Sequence, residues 1–195
     1  MTMKQLKKFA FIGLSALMLQ GCTAALLGGA AVGTKVATDP RSTGTQIDDE
    51  TLEFKVYDAI TKDEQIKAEG RVVVVSYSNR LLLIGQVPTD IAKETATNLA
   101  KGVEGVNAET IFNEMSVGPV IDLTQRSKDS WITSQVKSKM LVDSAVKTTD
   151  VKVITENNQV FLMGNLTQQQ GNAAAEIARN ISGVTRVVKV FKYLD

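Results

Sequence analysis

The chain has 195 residues, with 22 basic and 21 acidic side chains and a net charge of +1. It contains no histidine and one cysteine, Cys22. The commonest general base and the commonest metal ligand are therefore missing, no internal disulfide can form, and the fold must stand on its apolar core.

The chain opens on Lys4, Lys7 and Lys8, followed by an apolar run from Phe9 to Leu19. A basic start, a short apolar stretch and small residues at its end describe a secretory signal over residues 1–21. The run is about 11 residues, where a spanning helix needs about 20. Leu19-Gln20-Gly21-Cys22 resembles the lipobox of bacterial lipoproteins. That resemblance implies lipid transfer to the Cys22 thiol, cleavage before Cys22 and acylation of the new amino terminus. Residue 23 is Thr rather than Asp, which by the same resemblance sends the lipoprotein to the periplasmic side of the outer membrane, with a surface-exposed end point as the alternative. Residues 22–47, rich in Ala, Gly and Thr, read as a flexible tether.

Beyond the tether the chain repeats itself. Leu99-Ala100-Lys101-Gly102-Val103-Glu104-Gly105-Val106 matches Ile177-Ala178-Arg179-Asn180-Ile181-Ser182-Gly183-Val184, and Asn79–Gly85 matches Asn158–Gly164. Two units follow, 48–115 and 126–195, joined by a breaker-rich linker over 116–125. In the first, Leu52, Val56 and Ile60 recur at helical spacing behind Asp48 and Asp49, whose charges suit a helix start. Val72–Tyr77 and Leu81–Gln86 then read as strands around a two-residue Ser78-Asn79 turn. A helix over 89–101 and a strand over 107–115 complete the unit. The second repeats this order, with helices over 128–142 and 168–180 and strands Val151–Glu156, Val160–Gly164 and Val184–Tyr193. The helix-linked return predicts that each last strand runs parallel to the second. Apolar residues on both strand parities predict that both sheet faces are covered, the second most simply by the other unit.

Two αββαβ units, each with Gly after the hairpin and Gly-Val before the last strand, resemble BON domains. The implied fold is α+β: two tandem αββαβ BON domains, each a three-stranded mixed sheet with two helices on one face. Leu-Gln-Gly-Cys, the Ala/Gly tether, Ala37-Thr38-Asp39-Pro40-Arg41-Ser42, Trp131-Ile132-Thr133 and Val160-Phe161-Leu162-Met163-Gly164 extend the resemblance to the dual-BON outer-membrane lipoproteins. It implies binding of anionic phospholipid (phosphatidylglycerol, cardiolipin) by the second unit, support of outer-membrane integrity and enrichment at division sites.

The residues give this some independent footing. Residues 46–116 carry seven basic against thirteen acidic side chains, a net of −6, and residues 124–195 carry ten against six, a net of +4. An anionic surface attracts the second unit and repels the first; docking between the units is the other use of such a split. Aligning the repeats sets Leu52 on Ile132, Val56 on Val136 and Ile60 on Met140. Trp131 then lies about 140° from the centre of that stripe. Its outward neighbours are Ser134, Gln135, Ser138 and Val142, with Lys128 and Lys139 at the edges. An indole among lysines and small polar residues suits a shallow seat at headgroup depth. Contact with the other unit or a partner, and burial in the core, remain the alternatives for Trp131.

No catalytic or metal constellation stands out and no cofactor is implied. Gly28-Gly29 and Gly102-x-x-Gly105 lack the P-loop lysine and the dinucleotide spacing. The serines and lysines of 134–139 have nothing to depress a lysine pKa. Asp63 and Glu64 read as solvated helix-end charges. The export signal and acidic first unit argue against nucleic acid. The competing function is a protein adaptor for envelope enzymes or outer-membrane protein assembly, using the acidic first unit around Asp58, Asp63 and Glu64 or a sheet edge. A peptidoglycan-contacting spacer has no aromatic groove to support it.

Overall fold

The computed structural model describes residues 39–194. The signal segment, Cys22 and the tether up to residue 38 lie outside the described residues. Pro40–Asp195 forms one compact unit that contains three apolar clusters of its own, so this segment holds what it needs to fold without the tether.

The first repeat runs α1 (Thr43–Ile60), α2 (Glu64–Glu69), β1 (Arg71–Tyr77), β2 (Arg80–Val87), α3 (Asp90–Lys101), β3 (Ile111–Asn113) and β4 (Ser116–Val117). The second runs α4 (Leu123–Leu141), β5 (Val151–Glu156), β6 (Gln159–Leu166), α5 (Gln168–Arg179) and β7 (Arg186–Tyr193). Both hairpins are antiparallel, and β3, β4 and β7 run parallel to their central strands, as helix-linked returns require. The turns Ser78-Asn79 and Asn157-Asn158 have positive φ at both positions, the geometry whose twist matches the flanking strands.

Several boundaries differ from the sequence reading for local reasons. α1 starts at Thr43, inside the expected tether, because the Ser42 side chain accepts from the Thr45 N–H. α4 starts at Leu123, inside the expected linker, because Asp122 accepts from the Gln125 N–H. Ser116–Val117 also leaves the linker, pairing with β2. Asp63 stands at a helix end as expected, but half-buried: its carboxylate accepts from the Ile66 N–H and caps α2. The last strand of the first repeat breaks after Asn113, whose amide donates to the Lys93 carbonyl and Thr97 Oγ1 while its oxygen accepts from the Met115 N–H.

Asp49 is likewise no helix-start charge. It is buried, and its carboxylate accepts from Ser76 Oγ at 2.6 Å and the Ser78 N–H at 2.9 Å. Arg41 donates to the same carboxylate at 2.5 Å and lies 4.2 Å over the Tyr77 ring. Gln46 in turn donates to the Arg41 carbonyl, so the point where the tether meets the folded unit is locked in place. The second repeat uses the same device. Asp129 is buried and accepts at 2.8 Å from the N–H groups of both Asn157 and Asn158. A helix-borne carboxylate thus holds each hairpin turn. Asp129→Ala is expected to lower the unfolding free energy by about 1.5–3 kcal/mol, because both amides lose a charged acceptor; urea denaturation would measure it.

The glycines that follow the hairpins have a steric reason. A Cβ on Gly85 would lie 1.9 Å from the Arg71 carbonyl oxygen, and one on Gly164 would lie 2.4 Å from that of Asp150. Each central strand must let the start of the first strand pass within backbone contact.

Strand alternation sorts the core into layers. Leu81, Leu83 and Val87 face α1–α3 with Val56, Ile60, Ala92, Ala96 and Ala100. Val160, Leu162 and Leu166 face α4 and α5 with Ile132, Val136, Met140, Ala174 and Ala178. The opposite parity, Leu82 and Ile84 on one sheet and Phe161, Met163 and Val190 on the other, meets in a shared cluster with Val75 and Tyr77. The two sheets therefore pack face to face between outer helix layers. Gln86 donates to Glu156 at 2.9 Å in a buried contact between the repeats, and Lys152 pairs with Glu53 at 3.1 Å and Arg186 with Glu114 at 2.8 Å.

Candidate functional site

Both faces of each sheet are used in packing, so the outer faces of the helices are left for function. On α4 the stripe Ile132, Val136 and Met140 is buried, in the register that the repeat alignment predicted. Trp131 points away from it and is 53% exposed. Of the other residues named from sequence, Lys128, Ser134, Ser138, Lys139 and Val142 are exposed and Gln135 is half-buried. The structure thus gathers all seven on the solvent side of one helix.

It also adds two residues that sequence reasoning passed over. Leu141 is 76% exposed and Leu123 is 72% exposed, beside Val142 at 82%. At 100° per residue, Leu123 and Leu141 share one row and Trp131 and Val142 a second, about 80–100° around the helix. Ser127, Ser134 and Ser138 lie between the rows. The hydroxyls of Ser127 and Ser134 donate to the carbonyls of Leu123 and Ser130, four residues back. Their polarity is partly spent inside the helix, so bringing this strip to an apolar boundary costs less than three free hydroxyls would.

Lys128, Lys137 and Lys139 flank the rows, and none pairs with a carboxylate among the described residues. Lys139 and Val142 also border an open cleft of about 410 Å³, with Asp143, Asn180, Ile177 and Ile181. Chemically, the surface offers an indole, three aliphatic side chains and unpaired ammonium groups, but no nucleophile–base pair. Among the described residues no helix is long and apolar enough to cross a membrane, and no group of His, Cys, Asp and Glu could hold a metal ion.

The first repeat differs on the equivalent helix. α1 exposes Ile47 and Phe54, the latter at 71%, beside Glu50 and Asp58, and Asp58 pairs with Lys62 at 2.9 Å.

Comparison with known proteins agrees with this architecture. The BON domain family model matches residues 48–119 and 128–195. The chain is 66% identical over 195 residues to "Outer membrane lipoprotein DolP" of Haemophilus influenzae, covering all of both chains. It is 54% identical over 157 residues to "21 kDa hemolysin" of Actinobacillus pleuropneumoniae, covering 80% of each. It is 30% identical over 156 residues to "Osmotically-inducible protein Y" of Escherichia coli, covering 80% of this chain and 77% of that protein. BON domains are not catalytic, and the chain is not an enzyme. It belongs to the BON-domain family, as a two-domain outer-membrane lipoprotein of the DolP type.

Proposed function

We propose that the second domain binds anionic phospholipid, such as phosphatidylglycerol or cardiolipin, at the periplasmic face of the outer membrane, and that this contact supports membrane integrity and enrichment at division sites. The observation that carries the lipid reading is Trp131, exposed on the outward side of α4, which also carries Leu141 and unpaired lysines and ends at the exposed Val142. Indole and aliphatic groups gain by leaving water at the interface, and each lysine near an anionic surface adds about 1 kcal/mol. The sequence resemblance alone supplies the division-site element. With one tryptophan in the chain, a fluorescence titration of residues 40–195 reports position 131 alone. Vesicles containing phosphatidylglycerol should shift its emission to the blue, less so at high salt. An unchanged spectrum, or an equal response to zwitterionic vesicles, would reject headgroup selection.

The adaptor reading is favoured by a different observation, the exposed Ile47 and Phe54 among acids on α1. An exposed apolar helix face flanked by Glu50 and the Asp58–Lys62 pair suits a partner surface with apolar and polar groups. The double variant Phe54→Ser, Asp58→Lys is expected to abolish capture of such a partner from an envelope extract while vesicle binding persists. Undiminished capture would remove α1 from the interface.

A further inference from the structure

We infer that a cleft between the first domain and the start of α4 is a binding site for a phosphoryl anion, separate from the α4 outer face. The cleft is about 520 Å³. Lys67 from α2, Arg71 from β1 and Arg126 from α4 line it, with Tyr57, Val72 and Val120. No lining residue is acidic, although residues 46–116 carry thirteen acidic side chains.

The partners of the three cations sharpen the point. Arg71 lies 3.4 Å from Glu156, whose other oxygen accepts from Gln86. Glu156 therefore fixes the Arg71 guanidinium and offsets its charge. Lys67 and Arg126 have no ion pair among the described residues. Two cations with no internal counter-ion, drawn from different domains, border one concave site beside a third that is held in position. Lys67 and Arg126 are both exposed, so their charges are open to an incoming anion that bridges them. The phenol of Tyr57 adds a hydroxyl, and Val72 and Val120 give apolar walls, so the fitting ligand is a phosphomonoester or phosphodiester with a short organic group. Such a group could arrive on a lipid headgroup or on a soluble phosphorylated molecule.

The test is amide NMR of residues 40–195 titrated with glycerol 3-phosphate, with phosphatidylglycerol vesicles, and with sodium chloride at matched ionic strength. Saturable shifts of the Gly70, Arg71 and Val72 amides with glycerol 3-phosphate support a soluble source. The same amides responding to vesicles alone support a headgroup source. Lys67→Gln with Arg126→Gln should weaken the response about thirtyfold, while Trp131→Glu should leave the glycerol 3-phosphate response intact. That last arm separates this site from the α4 face. Absence of shifts at these amides in both phosphate arms, or shifts that chloride reproduces, would overturn the inference.

Discussion

Trp131→Glu is expected to abolish co-sedimentation of residues 40–195 with phosphatidylglycerol vesicles and to leave the melting curve unchanged. The indole is 53% exposed and lies outside the buried stripe of α4, so its removal opens no cavity and folding has little to lose. Binding, by contrast, loses an interfacial aromatic and gains a carboxylate facing anionic headgroups. Together these cost about 2–3 kcal/mol, a factor of about 30–150 in affinity. Leu141→Glu should act in the same direction, because Leu141 is 76% exposed on the neighbouring row. Ser138→Ala, between the rows, should be nearly silent. Wild-type binding by the Trp131 and Leu141 variants would mean that α4 does not meet the bilayer.

Phe161→Ala is expected to lower the unfolding free energy by about 3–5 kcal/mol, the usual cost of emptying a fully buried aromatic position. Phe161 is 1% exposed and sits in the cluster shared by the two sheets, with Leu82, Ile84, Met163 and Val190. A domain of about 70 residues buries too little surface to be robust alone. The inter-sheet layer makes up the shortfall for both domains. Urea unfolding followed by circular dichroism should show the lower midpoint and a split of one transition into two. A loss under about 1 kcal/mol would show that the sheets draw little stability from each other.

How much of this was legible beforehand depended on periodicity. Ile132, Val136 and Met140 repeat every fourth residue, so the buried stripe and the outward Trp131 followed from one alignment of the repeats. Apolar side chains on both parities, Phe161 beside Leu162, foretold a sheet covered on two sides. Isolated polar roles were harder to see. Asp49 and Asp129 look like any surface carboxylate until the hairpins fold back onto them. Leu141 follows the buried Met140 and ends its helix, and an aliphatic residue in that position reads as core. Leu123 belongs to the face only once α4 is known to start there, which Asp122, three residues before Gln125, marks as a capping pattern. The cationic cleft draws on α2, β1 and α4, which only the closed sandwich brings together.

The lock at Arg41 sets a mooring radius. With that residue held by Asp49 and Tyr77, the covalent distance back to Cys22 is bounded by chain length at about 65 Å. A globule confined to a hemisphere of that size stands before its bilayer at a local concentration of a few millimolar. If α4 meets lipid as proposed, a contact of millimolar strength, too feeble to recruit a free protein, is then enough to keep it on the membrane about half of the time.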